Sequence, residues 1–174
     1  MKKFAIAAVA ACVATGVYAA DSELGATSTD TIPLTLDIPA LVRVSAFTGI
    51  DLGTFDGATA ETGTDDGCIY SNDKGAYTVT MTSTNTAFKL ISAALDEIPY
   101  AVQWCDDVAG GGDCVALVYN TESAAQAGAD TLETDCVTGG NNASVQVDIT
   151  VADMLAAPIG TYEDDLLVLI SPDE

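Results

Sequence analysis

From residue 32 to the last residues, short runs alternate apolar and polar side chains with a period of two. That period is the mark of strands with one buried face. Ile32, Leu34, Leu36 and Ile38 share one parity, as do Tyr77, Val79 and Met81. So do Val145, Val147, Ile149 and Val151, and then Leu166, Val168 and Ile170. Residues 41–44, 50–55, 69–70, 87–91, 100–104 and 115–119 are further strand candidates. Turn formers separate these runs: Thr48-Gly49, Asp56-Gly57, Asp66-Gly67, Asn72-Asp73-Lys74-Gly75 and Gly139-Gly140-Asn141-Asn142. Roughly eight to ten strands at this spacing predict an all-β domain built as a sandwich. Two alanine-rich pieces, residues 122–128 and 152–157, read as single helical turns on connections. A chain of 174 residues has room for one such domain.

The charge balance narrows the function. There are 26 acidic and 5 basic residues, a formal charge of −21, and no histidine. Lys2 and Lys3 sit at the extreme N-terminus, so the body of the chain holds only Arg43, Lys74 and Lys89 as cations. No basic patch for nucleic acid can be built from these. An anionic membrane surface repels such a chain. Imidazole chemistry is excluded, including Ser-His-Asp triads and His-ligated zinc. Disorder is opposed by a hydrophobic content of 49%.

Met1-Lys2-Lys3, the apolar residues 4–17 and Val17-Tyr18-Ala19 read as a secretory signal peptide, residues 1–19. The apolar stretch is too short to span a bilayer, so no membrane anchor is expected. Val9-Ala10-Ala11-Cys12 loosely resembles a lipoprotein box, but it lies very early and apolar residues continue beyond it. Without Cys12 four cysteines remain: Cys68, Cys105, Cys114 and Cys136. An even count in an exported chain predicts two disulfides. Zinc is disfavoured because there is no C-x-x-C spacing and no histidine. Of the three connectivities, Cys105 with Cys114 is preferred, because these two flank a loop holding Gly110-Gly111-Gly112. Cys68 then pairs with Cys136.

Carboxylates cluster at Asp65-Asp66, at Asp106-Asp107 with Asp113, at Asp130 with Glu133 and Asp135, and at Asp164-Asp165. None matches a twelve-residue calcium loop. The expectation is a solvated acidic surface, with no metal and no cofactor. A glycosidase could use paired carboxylates, but it needs an aromatic cleft, and 6% of this chain is aromatic. No catalytic residue is assigned.

Near the end of the sequence come Val145 to Val151, then Pro158, Gly160, Tyr162 and Asp164, then the apolar strand of Leu166 to Ile170. This resembles the ending of chaperone–usher pilus subunits, and is similar to the related spore-coat-U-type domains. The stretch Ile98-Pro99-Tyr100 to Trp104 resembles a strand of colonisation-factor fimbrial subunits. The two-disulfide cysteine set departs from the commonest pattern of those pilins. The resemblance implies an immunoglobulin-like β-sandwich that lacks its last strand. It implies an apolar groove filled first by a periplasmic chaperone, then by the N-terminal extension of the next subunit at an outer-membrane usher. The extension adds a strand to the open edge.

Under that resemblance residues 20–39 form an N-terminal extension, with a donor strand at about residues 31–38, and residues 40–174 form the sandwich. Ile32, Leu34, Leu36 and Ile38 supply the alternating apolar groups, and Pro39 closes the run. Pro33 lies on the opposite parity. An ordinary first strand of its own domain would show the same alternation; the resemblance favours donation. Tyr162 is expected to pack a corner and Trp104 to lie in the core. The expected role is a structural, non-enzymatic subunit of a surface fimbria, contributing to adhesion or biofilm formation. Its expected partners are like or related subunits, the chaperone and the usher, and its expected place is the cell surface. A free-standing exported acidic sandwich that binds a glycan or calcium is the alternative.

Overall fold

The computed structural model of the chain describes residues 25–173. The expected signal sequence, residues 1–19 with Cys12, lies outside them. Residues 25–38 hold no helix or strand. From Pro39 onward the chain forms one compact unit.

One sheet has five strands in the order β1-β2-β8-β6-β7, all antiparallel. These are β1 (Val42–Ser45), β2 (Glu61–Ser71), β6 (Ala101–Cys105), β7 (Cys114–Ala116) and β8 (Ala143–Ile149). Facing it is a pair, β3 (Thr78–Ser83) with β10 (Leu166–Ser171). A third small sheet sets β4 (Lys89–Ser92) between β5 (Glu97–Pro99) and β9 (Tyr162–Glu163). Among the described residues the α-helix α1 (Val151–Ala156) starts where Thr150 caps it by accepting from the Asp153 N–H at 3.2 Å. That cap ends β8 at Ile149, two residues short of the expected Val151.

The order β1-β2-β8-β6 is the A-B-E-D order of an immunoglobulin-like sandwich, and β3-β10 corresponds to C-F. Among the described residues nothing takes the place of the seventh strand, beyond β10. The core lies between the sheets. Trp104 is wholly buried and its indole N–H donates to the Tyr77 hydroxyl at 3.0 Å, joining the two layers. Ile69, Val79, Met81, Val102, Val145 and Val147 pack around this pair.

Three expectations are corrected. Asp66-Gly67 is no turn; it lies inside β2. A Cβ at Gly67 would stand 2.2 Å from the Phe47 ring, and one at Gly63 would stand 2.3 Å from Ile50 Cγ2. These glycines make room for the segment after β1, which lies on the inner face of β2. Residues 50–55 form no strand. Gly49 and Gly53 turn the backbone to positive φ, and Asp51 accepts from the Gly53 N–H at 2.8 Å, bending the run. Residues 122–128 form no helical turn. Their backbone covers the outer edge of β3, with Ser123 N–H donating to Val79 O at 2.8 Å and Gln126 N–H to Tyr77 O at 2.7 Å.

Candidate functional site

Among the described residues β10 has a partner strand on one side only, β3. On β3, the peptide groups of Val79 and Met81 bond to residues 120–123, away from β10. Their opposite numbers on β10 are Ile170 and Val168. In an antiparallel ladder both members of such a pair turn their peptide groups outward. Leu166, Val168 and Ile170 therefore present their N–H and C=O groups along the free edge. The same three residues turn their side chains inward, while Leu167 and Leu169 are exposed.

Beside this edge lies a groove of about 310 Å³. Leu166 and Val168 form one wall, and Phe47, Ile50 and Leu52 the other. Met81, Leu90, Val145 and Val147 line it between them. An apolar cavity of about 150 Å³ holds one benzene ring, so this volume suits about two medium apolar side chains. β1 and β10 are neighbours with no ladder between them, and some of their Cα atoms are within 8 Å.

Polar residues frame the groove. Asp65 accepts from Thr48 N–H at 2.7 Å and Gly49 N–H at 2.8 Å, pinning the segment after β1. Asp164 accepts from the hydroxyls of Ser83, Thr84 and Tyr100 and from the Asn85 N–H. Burial, and then the neighbouring Asp164 carboxylate, push the Tyr100 phenol well above its ordinary pKa. The Asp65 carboxylate is thus occupied in holding the segment after β1, and that of Asp164 in holding the link between β9 and β10 to the end of β3 and to Tyr100. Among the described residues no three or more Cys, Asp or Glu side chains converge as a metal site needs. In the acidic loop, Asp106 accepts from the Asp113 N–H and Asp66 from the Ala109 N–H.

Ile32, Leu34, Leu36 and Ile38 are 82%, 92%, 83% and 68% exposed. Cys105 is joined to Cys114 across the β6–β7 pair, and Cys68 to Cys136. The Tyr162 hydroxyl donates to Pro158 O at 2.8 Å, closing the corner before β9. The side chains of the segment after β1 were missed as groove wall by sequence reasoning. Gly63 and Gly67, two small residues in the otherwise polar first half of β2, were the available signal.

This fold is similar to that of a solved structure. It is a chain from a chaperone–tip adhesin complex of CFA/I fimbriae biogenesis, with a TM-score of 0.52. The two are 13% identical, over 76% of this chain and 42% of that one. This chain therefore spans less than half of that chain's length, and at such identity the likeness shows the fold alone. No protein-family model matches the sequence. No curated protein matches it either.

Proposed function

We propose that the protein is a structural subunit of a surface fimbria, in which copies join by strand donation. The observation that carries this reading is the free edge of β10 beside an apolar groove, in the place of a missing seventh strand. The exposed run Ile32, Leu34, Leu36 and Ile38 has the alternation that such a groove takes up. The fold shared with a fimbrial-biogenesis protein supports it, as do the two disulfides, which fit an oxidising, exported route. In this reading the groove is held by a periplasmic chaperone before assembly and delivered to an outer-membrane usher. The acidic surface then keeps the subunits soluble.

Burying four large apolar side chains contributes roughly 6–12 kcal/mol before ordering costs. The groove must also widen. A strand between two others needs its flanking strands about 9.5 Å apart, more than the closest approach of β1 and β10. The test is to express Leu34→Asp/Leu36→Asp with the chaperone and image cell-surface material by electron microscopy. The expected result is a soluble, folded subunit and no fibres. Long fibres from this variant would show that assembly uses another surface.

A further inference from the structure

A strand laid along β10 can slide in steps of two residues and still point Ile32, Leu34, Leu36 and Ile38 inward. The seventh strand of an immunoglobulin-like sandwich runs antiparallel to the strand in the place of β10. Two antiparallel registers set large apolar residues against all of Leu166, Val168 and Ile170. In one, Ile38, Leu36 and Leu34 stand opposite them, in that order. In the other, shifted by two residues, Leu36, Leu34 and Ile32 do. Apolar pairing alone does not choose between the two.

The residues just before Leu166 do choose. The line of β10 continues through Asp165, one step on from the pair of Leu166 with Ser83. Thr84 N–H donates to Asp165 O at 3.0 Å, and Asp165 N–H donates to Thr84 Oγ1 at 3.3 Å. Asp165 is exposed, on the parity of Leu167 and Leu169. Among the described residues no hydrogen bond or ion pair holds its carboxylate, whereas Asp164 is held on the inner side by Ser83 and Tyr100. In the extension, Asp37 lies on the outward parity and is exposed. The first register sets Asp37 opposite Leu167 and leaves Asp165 opposite Pro39. The shifted register sets Asp37 directly opposite Asp165, and Ile38 opposite Asp164. Like charges directly opposite each other destabilise an antiparallel pair.

We propose, on the strand-donation reading above, that repulsion between Asp165 of one copy and Asp37 of the next sets the register of the joint, with Ile38 opposite Leu166 and Leu36 opposite Val168. The groove beside Leu166 and Val168 then receives Ile38 and Leu36.

The experiment reads register at outward positions, so no groove side chain is changed. In the proposed register residue 35 stands opposite Leu169, and in the shifted one opposite Leu167. Both leucines are exposed. Both turn their peptide groups to β3, so each forms a non-hydrogen-bonded pair with the donated strand. Cα atoms in such pairs are about 4.5 Å apart, within reach of a disulfide. A peptide of residues 31–38 with Thr35→Cys, blocked at both ends, is mixed in excess with the full mature chain carrying Leu167→Cys or Leu169→Cys. The buffer holds glutathione at low ionic strength. Mixed disulfide is read by mass, against a chain with no added cysteine.

Leu169→Cys should link about three- to fivefold more than Leu167→Cys. Asp37→Lys in the peptide turns the repulsion of the shifted register into attraction, and should lower that ratio about tenfold. Asp165→Asn in the chain should lower it about three- to fivefold, and about 1 M salt should lower it in the same direction. An even ratio with Asp37 and Asp165 in place, or a ratio that neither substitution moves, overturns the proposal. The peptide without cysteine tests the reading beneath it. If it raises the melting temperature of the wild-type chain, strand donation stands whichever register is found. If it does not, and no link forms at either cysteine, the donation reading fails and the register with it.

Discussion

Gly67→Ala should destabilise the fold by about 1–3 kcal/mol, because of a single crowded contact. The added Cβ would stand 2.2 Å from two carbons of the Phe47 ring and 2.7 Å from a third. Carbon atoms pack at about 3.5–4.0 Å, so the ring must retreat by roughly 1.3 Å or more. Trp104 restrains that retreat: it is wholly buried, and its ring centroid lies 5.9 Å from that of Phe47. The assay is a urea titration of the full chain followed by the fluorescence of Trp104, the one tryptophan in the sequence. Phe47→Ala is measured beside it, then the double variant. If the contact is the cause, the cost of Gly67→Ala shrinks by about 1 kcal/mol or more once the ring is gone. A Gly67→Ala chain within about 0.5 kcal/mol of wild type would refute the reasoning. So would an equal cost in the two backgrounds.

Replacing Cys68 and Cys136 by alanine opens a loop of 68 residues in sequence separation, against 9 for Cys105 and Cys114. On chain entropy the first change should cost about 4 kcal/mol and the second about 2.5 kcal/mol, read from denaturant midpoints. Asp148→Asn should cost about 1 kcal/mol at neutral pH. Burial raises the Asp148 pKa, but hydrogen bonds from Gln146, Thr62 and Gln103 outweigh it and leave the folded value below 3.8. Its contribution is therefore complete above the unfolded value and fades as pH falls through the lower folded value, so thermal melts of the two chains should converge in strong acid. Tyr100→Phe should cost about 1.5–3 kcal/mol by removing the phenol donor from Asp164, while Ser83 still holds that carboxylate.

The sandwich was legible because its central strands obey the period of two. Tyr77, Val79 and Met81, and Val145, Val147 and Ile149, are buried together as their parity implies. The first half of β2 was not legible. Its residues 61–67 are polar or glycine, and they hold a strand because β8 pairs with them and because Gly63 and Gly67 admit Ile50 and Phe47. Residues 50–55 failed in the other direction: the alternation is there, but glycines at 49 and 53 break the extended path. Residues 122–128 looked helical because alanine favours helices, yet their peptide groups are taken by the edge of β3. For the candidate site, the apolar parity of β10 was visible in Leu166, Val168 and Ile170. Which of its edges stays open was not visible, since that depends on which peptide groups β3 turns towards residues 120–123.

The central claim is that the extension of one copy lies against β10 of another. It is tested most directly by placing a photoreactive side chain at Leu36 in an isotope-labelled copy and polymerising it with unlabelled copies. Cross-linked peptides are then read by mass. The account predicts links from Leu36 to residues lining the groove, such as Val168 or Ile50, joining labelled to unlabelled chains. Links confined within single chains, or reaching only the exposed outer face of β10, would contradict it.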